Sequence, residues 1–553
     1  MPSMGSEFDF SGALITYISV IGSLLFAIIT VSVAGSFVVG GKTGPLAVLS
    51  ILRLAVEDWL STSPRRIWAI TKLTILEAIR RKALLVGVVF AVLFLFAGWF
   101  LAQPASDPEQ QVKVYVAFVM RTIAFLIIPM VLLLSCWGIP EDIRVRSIHT
   151  VVTKPCRRQE IVIGRVLGFT AIGGLLLAIM GVVGYVWILR QLDAKGRERL
   201  VARVPVYGKI AFKDREGVDQ KQGINTGDEW MFRSFIEGGT KSRMIWNFEG
   251  LDAFNLETAD HLPMEAGFQV FRSYKGNMDR GITCQILVVN PDTEKRAVAP
   301  LVTSRDQAGK IEQTDNAFEV KEFRENLLQL ARRVVDDEGN ELDLFKDFVS
   351  KGRLRVEVLC LPTQQYIGAA GPDLFVRLPD KPFVVSYAKG LLGIGLLTLM
   401  IVVIGVCAST FVKGPVATMT TFFIVLVGAT GRAFLDTIVD AKWVGGGAFE
   451  SIYRIFAHLN PQTELPSTLP FKVMQLVDGA GVGFLRSVRY LFPDFKFFDL
   501  TPYVAYGFDV PWTNPVPPNS GALLPSLIIT AGYLLPWIVL GYFSLRLREL
   551  EAK

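Results

Sequence analysis

Histidine is scarce in this chain of 553 residues, and its cysteines form no pattern. His149, His261 and His458 lie far apart, and the five cysteines are scattered, with no Cys-x-x-Cys and no histidine beside them. A zinc site needs such ligands converging at short spacing, so no metal is expected. His-Glu-x-x-His is missing, and no Ser, His and Asp stand in a recognisable catalytic context. Nothing specific therefore supports an enzyme, and no catalytic residue or cofactor is assigned to the chain. A phosphate loop is nearly spelled by Ser36-Phe-Val-Val-Gly-Gly-Lys42-Thr43. Such a loop starts with Gly, follows a buried strand and opens a helix. Here Ser36 comes first, a long apolar run precedes it, and Pro45 stands where the phosphate-capping helix should run. The stretch reads as a helix stop at a membrane surface, so no ATPase is expected in this chain. A basic leader is missing as well: MPSMGSEFDF carries Glu7 and Asp9 but no Lys or Arg, unlike a cleaved signal.

Long apolar runs are what the chain has. Hydrophobic residues make up 51%, yet 20% of residues are charged, and mean hydropathy is +0.41. That mixture fits membrane spans together with a substantial aqueous domain. The net charge of +6 is modest and the basic residues cluster beside apolar runs. Membrane topology explains that placement, and no nucleic-acid partner is expected. A bilayer core of about 30 Å needs about 20 helical residues. Seven runs are read as spans: Ala13 to Val39, Ala83 to Ala102, a run ending at Gly138, a run ending at Leu189, Val384 to Val412, Val416 to Thr430, and Leu523 to Leu545.

Charge orients them. Gly40 to Lys82 carries Lys42, Arg53, Arg65, Arg66, Lys72, Arg80, Arg81 and Lys82, and Pro140 to Glu160 carries Arg144, Arg146, Lys154, Arg157 and Arg158. The loop between, Gln103 to Lys113, has one lysine and two acids. The positive-inside rule puts both basic segments in the cytoplasm. The N-terminus is then outside, the C-terminus with Arg546, Arg548 and Lys553 is cytoplasmic, and Gln191 to Pro382 is outside.

Gln191 to Pro382 has no apolar run long enough to span. Ile282 to Val288 and Leu354 to Cys360 alternate in part, and Phe268 to Phe271 and Leu374 to Leu378 are further short strands. Asn316 to Val335 fits helix and strand equally. Short strands at this spacing suggest a mainly β domain, a sandwich. Cys284 and Cys360 share apolar strand faces, as buried thiols or as a disulfide. Beyond the sixth span, Phe449 to Leu459 and Phe471 to Leu491 read as surface or re-entrant helices.

Four stretches carry a family resemblance. RRIWAITKLTILEAIRRK at Arg65 to Lys82 is a basic helix before a span, where Trp68, Ile75 and Ile79 share one stripe and Arg66, Glu77 and Arg80 lie elsewhere. By composition it is either a helix in the headgroup layer or the plain end of the span. PEDIRVRSIHTVVTKPCRRQEIVIGR, from Pro140 to Arg165, joins two spans. There Pro140 is read as ending a span, with Glu141 and Asp142 opening a short helix. STFVKGPVA and FPDFKFFDLTPYVAYGFDV recur near the C-terminus. Together they resemble the transmembrane permease subunit of a type-2 ABC transporter. The resemblance implies a membrane α-helical bundle of six core spans; the N-terminal span and the inserted extracytoplasmic β domain are additional here and lie outside it. It implies that Arg65, Arg66, Trp68, Ile75, Ile79 and Arg80 belong to an elbow helix. It implies a coupling helix around Glu141, Asp142, Arg144, Arg146, Lys154, Arg157 and Arg158 that docks an ABC ATP-binding subunit. ATP and Mg would bind that partner, the permease would form a dimer in the plasma membrane, and the direction would be export. The segments are then 1–40, 41–82, 83–190, 191–383, 384–437, 438–522 and 523–553. Arg121 and Arg432 sit near the outer edge of spans, either snorkelling to headgroups or lining a vestibule. The reading from a different class is a membrane-anchored extracytoplasmic binding or scaffold protein without transport.

Overall fold

A computed structural model describes residues 10–40, 44–83, 85–100, 108–144, 156–220, 222–224, 233–251, 259–272, 281–305, 311–320, 326–336, 339–439, 447–460, 463, 465–466, 468–513 and 521–551. The helices are α1 Phe10–Gly40, α2 Gly44–Leu60, α3 Pro64–Arg80, α4 Leu85–Phe100, α5 Pro108–Arg144, α6 Arg158–Gln191, α7 Ala194–Glu198, α8 Phe383–Phe411, α9 Gly414–Leu426, α10 Arg432–Val439, α11 Ala448–Phe456, α12 Leu469–Leu491, α13 Thr501–Ala505 and α14 Leu523–Glu551. Among the described residues, six helical stretches are long and apolar enough to cross a membrane: Leu14–Phe37, Gln110–Arg144, Arg158–Gln191, Phe383–Phe411, Gly414–Gly431 and Leu523–Arg546. Helices suit lipid because they satisfy every backbone group internally. Within the expected span Ala83 to Ala102, helix α4 covers Leu85–Phe100, and residues 84, 101 and 102 lie outside the described residues.

Helix α8 lies at the centre. Met400 through Ile404 are fully buried, packed among α5, α6 and α14. Helix α1 lies at the edge, with Phe26 and Val31 more than 70% exposed. One of its anchors is Tyr17, whose hydroxyl donates to the Gly532 carbonyl at 2.9 Å.

Two local features differ from the sequence expectation. Pro140 does not end a helix: α5 runs through Pro129 and Pro140 to Arg144. A proline forfeits one backbone hydrogen bond, but surrounding helices make that tolerable in a membrane bundle. Glu141 and Asp142 therefore lie in the last turn of α5, where the helix dipole disfavours acids, rather than opening a short helix. The sixth expected span, in turn, is lengthened: α9 passes through a π-turn at Val427–Gly431 into α10.

Residues 201–382 form a separate β-rich region. Its strands pair antiparallel in sheets of six, nine and three strands. The six-stranded sheet is ordered 201–207, 374–382, 261–266, 326–331, 301–305, 311–315. Its first two strands are the region's entry and exit, paired from Val201↔Pro382 to Tyr207↔Phe375. Chain ends that lie side by side let a domain be inserted between two helices without forcing them apart. The central strands of the nine-stranded sheet are Ile282–Val289, Leu354–Cys360 and Arg243–Phe248. Side chains from all three sheets share one core, including Trp246, Ile286, Val356, Met264, Leu330 and Ile367. The Trp246 indole N–H donates to the Gly371 carbonyl at 3.1 Å, so its polar atom is satisfied inside that core. The ambiguous stretch 316–335 is strand: Phe318–Val320, Asn326–Ala331 and Arg333–Asp336. Cys284 and Cys360 are free thiols facing each other across the ladder, and burial pushes the Cys284 thiol well up.

Candidate functional site at the basic end of the bundle

The end of the bundle that carries α3, the C-terminus of α5 and the N-terminus of α6 holds a buried ionic network. It starts from packing. Gly164 and Gly168 put a small-residue stripe on α6, and Ile70, Thr71, Thr74 and Ala78 form the buried stripe of α3. A Cβ at Gly164 would lie 2.7 Å from the Ile70 Cβ, and one at Gly168 would lie 2.5 Å from the Thr74 Cβ. The backbones are close enough for the Thr71 hydroxyl to reach the Gly164 carbonyl at 3.3 Å. Only glycine permits this approach, as small-residue motifs do between membrane helices.

Charge then locks what packing brings together. Arg165, 4% exposed, projects from α6 and pairs with Glu77 of α3 and Asp142 of α5. Glu77 also holds Arg81 at 2.6 Å. One turn earlier, Glu160 is fully buried. It accepts from the Ser63 amide at 2.7 Å and the Arg157 amide at 3.0 Å, and pairs with Arg66 at 3.0 Å. The acid thus caps two helix starts, at α3 and at α6. Asp58 at the end of α2 binds Arg157 at 2.5 Å and the Tyr542 hydroxyl of α14 at 2.7 Å, while Gln159 donates to the Asp58 carbonyl at 2.5 Å. Five helices are tied at one end by four carboxylates.

Helix α3 ends on Lys82, which adopts a left-handed φ of 59°. The Lys82 amide donates to Ile79 at 3.0 Å and the Ala83 amide to Ala78 at 3.2 Å. This paired closure satisfies the last carbonyls and turns the chain sharply into α4.

The residues singled out from the sequence fall on two sides of this network. Asp142 and Arg157 point into it, as does Arg66. Glu141 pairs with Arg144 at 2.6 Å, and that arginine side chain is 75% exposed. Arg158 is half-buried in the first turn of α6. Arg146 and Lys154 lie outside the described residues. On α3, Arg65, Trp68, Ile79 and Arg80 are exposed and Ile75 is half-buried against the core. The stripe of Trp68, Ile75 and Ile79 therefore is not the buried face of α3; the small-residue face takes that role. Asp58, Glu160, Arg165 and the Gly164/Gly168 pair escaped the sequence reading, which placed Glu77 on the helix but gave it no partner. The Gly-x-x-x-Gly spacing was the available signal.

The two arginines near the other membrane edge separate. Arg121 is exposed on α5. Arg432 is half-buried at the end of α12, where it donates to the carbonyls of Arg489 and, at 2.6 Å, Phe492. A cation there complements the C-terminal helix dipole, so Arg432 braces α10 against α12. Among the described residues no group of His, Cys, Asp and Glu could hold a metal. No family model, no curated protein and no solved structure matches this chain.

Proposed function

We propose that this chain is the permease subunit of a type-2 ABC transporter. It works as a dimer in the plasma membrane, with its N-terminus outside, its C-terminus cytoplasmic and the 201–382 region, read as a sandwich, outside. ATP and Mg bind a separate ATP-binding subunit that docks on the basic end, and the substrate moves outward. The observation that carries the proposal is the clamp of α3 on α6. A basic helix that precedes a span is held to the two helices flanking the charged loop by close backbone packing and by Arg165. A load applied to that loop moves α3, α5 and α6 together, which is what a transporter driven by an external ATPase requires.

The test follows from which charges remain outward. Glu141→Lys changes an outward ion pair and agrees with a cytoplasmic location, so insertion and folding should hold. Docking of the ATP-binding subunit should weaken as charge complementarity is lost. The measurement is retention of the genomically neighbouring ATP-binding subunit on the purified chain, with ATPase activity in lipid. If the wild-type chain retains no such subunit, the transporter proposal fails and a membrane-anchored binding protein is favoured. If Glu141→Lys retains it fully, the partner stands but the docking site lies elsewhere.

A further inference from the structure

The stretch between α13 and α14 is bonded to both the β region and the bundle. Helix α13 closes on Gly507, which takes a left-handed φ of 71°. The Gly507 amide donates to the Val504 carbonyl at 3.2 Å, and the Phe508 amide to the Tyr503 carbonyl at 2.8 Å. This closure satisfies the last carbonyls and turns the chain off the helix axis. The next residues lie against the edge strand Val201–Tyr207. Arg203 and Phe508 form a parallel bridge, in which the Arg203 amide donates to the Gly507 carbonyl and the Asp509 amide to the Arg203 carbonyl, each at 2.8 Å. The Arg203 guanidinium lies 4.3 Å from the Phe508 ring centroid, and the Phe375 ring meets the same ring edge-on. An edge of the six-stranded sheet is thus paired with chain that belongs to the bundle.

The same residues hold the start of α8. The buried Ser386 hydroxyl donates to the Phe508 carbonyl at 2.8 Å. Asp509 takes Lys389 at 2.6 Å and Lys381 at 2.9 Å, and Lys389 also donates to the Val510 carbonyl at 3.0 Å. Lys381 belongs to the strand Leu374–Pro382 and Lys389 to α8, so one carboxylate spans the junction where strand runs directly into helix. The Lys389 and Asp509 side chains are 10% and 9% exposed. Val510 packs into the core of the bundle, and the Leu523 amide at the start of α14 donates to the Pro511 carbonyl at 3.2 Å.

We propose that residues 506–510 are a latch that fixes the β region to the central helix α8, so that the region moves with the bundle rather than on a tether. A load on the β region then reaches α8 and α14 directly. The latch requires neither transport nor an ATPase, so it stands or falls apart from the function proposed above.

The test is hydrogen exchange of the full chain in detergent, followed by mass spectrometry. Two variants open the latch. Asp509→Ala removes the shared carboxylate; Asp509→Leu with Lys389→Met removes the buried pair without leaving an uncompensated charge. In both, the Arg203 amide and the amides of residues 387–390 should exchange at least about tenfold faster, while the inner strand Leu354–Cys360 keeps its rate. Asp380→Ala, which frees Arg377 without touching the latch, should leave residues 387–390 at the wild-type rate. If Asp509→Ala does not fold, the double variant carries the test. Unchanged exchange at both places overturns the proposal, as does acceleration on one side of the latch only. Acceleration that reaches Leu354–Cys360 in the double variant also overturns it, because the change would then be global rather than an uncoupling.

Discussion

Replacing Arg165 by methionine should be among the most damaging single changes in the helical bundle. Arg165 is 4% exposed and pairs with both Glu77 of α3 and Asp142 of α5. Methionine fills similar space, so little packing is lost. What remains is a pair of carboxylates whose shared counter-ion has gone. Glu77 keeps Arg81, but Asp142 loses Arg165. Breaking a buried pair by removing one partner costs about 3–5 kcal/mol. The carboxylates are partly screened, with side chains 22% and 18% exposed, so about 3 kcal/mol is the better figure. The decisive arm is the neutral triple variant, Arg165→Met with Glu77→Gln and Asp142→Asn. Swapping a whole buried network for uncharged groups is often near neutral, so most of the lost stability should return. The assay is thermal unfolding in detergent, followed by the monodisperse fraction after heating. Arg165→Met melting with the wild type would refute the reasoning. So would a triple variant that melts no higher than the single one, because the damage would then not be uncompensated charge.

Further outcomes follow from other parts of the structure. Gly168→Leu should cost about 1–3 kcal/mol through overpacking, because its Cβ would sit 2.5 Å from the Thr74 Cβ; an unchanged melting temperature would mean α3 can move away freely. Residues 200–382 expressed alone should melt cooperatively with β-type circular dichroism, and a helical spectrum would reject an independent β core. In the same fragment, the Ser350 hydroxyl and Arg353 hold Asp292 below its ordinary 3.8, and Asp343 is also lowered. At Asp343 burial pushes the carboxyl up, but Arg332 and the amides of Phe345 and Lys346 outweigh it. Groups lowered on folding contribute stability that is complete above 3.8 and is lost as pH falls through their folded values, so melting should drop below about pH 4; a flat profile down to pH 2 would refute it. For orientation, Glu216→Cys and Ser147→Cys in a cysteine-free background should respectively label and resist an impermeant thiol reagent in intact cells. The reverse result would invert the topology.

Some of this was legible in the sequence for identifiable reasons. Long apolar runs gave the spanning helices, because their signal is local and needs no partner. The strand Leu354–Cys360 was read to the residue, since its alternation reports one buried face. The stretch 316–335 was ambiguous because its periodicity is weak. Pairing with His261–Ala266 makes Asn326–Ala331 a strand, and that partner lies 60 residues away in sequence for the Asn326↔Ala266 pair. Gly223 looks like an accessible turn residue, yet it is half-buried and a Cβ there would lie 2.6 Å from the Phe235 carbonyl oxygen. The ionic network was invisible for the same reason as the strand pairing. Arg165 meets Glu77 across 88 residues and Gln159 meets Asp58 across 101, and no local pattern states which acid a given arginine will find. Pro140 continues α5 although proline usually ends a helix, because the surrounding helices make the lost backbone hydrogen bond tolerable.

The charges at the basic end serve two purposes that belong to different stages of the chain's life. Orientation is set during insertion, when arginines and lysines count and acids contribute little. On that rule Arg66, Arg157 and Arg165 would all count as positive charges near spans. In the folded bundle the same three are turned inward onto Glu160, Asp58, and Glu77 with Asp142. Among the described residues, the basic end of the bundle therefore presents less free charge than its composition suggests. Of the residues expected to meet an ATPase, Asp142 and Arg157 are engaged within the chain, while the Glu141–Arg144 pair remains outward. This explains how composition could equally suggest a topological signal and a docking surface: both are written with arginine, and only the three-dimensional pairing separates them. It also dictates how the docking site must be probed. Changing Asp142 together with Glu141 would unbalance Arg165 and weaken the bundle, and a lost partner would then report instability rather than a broken interface.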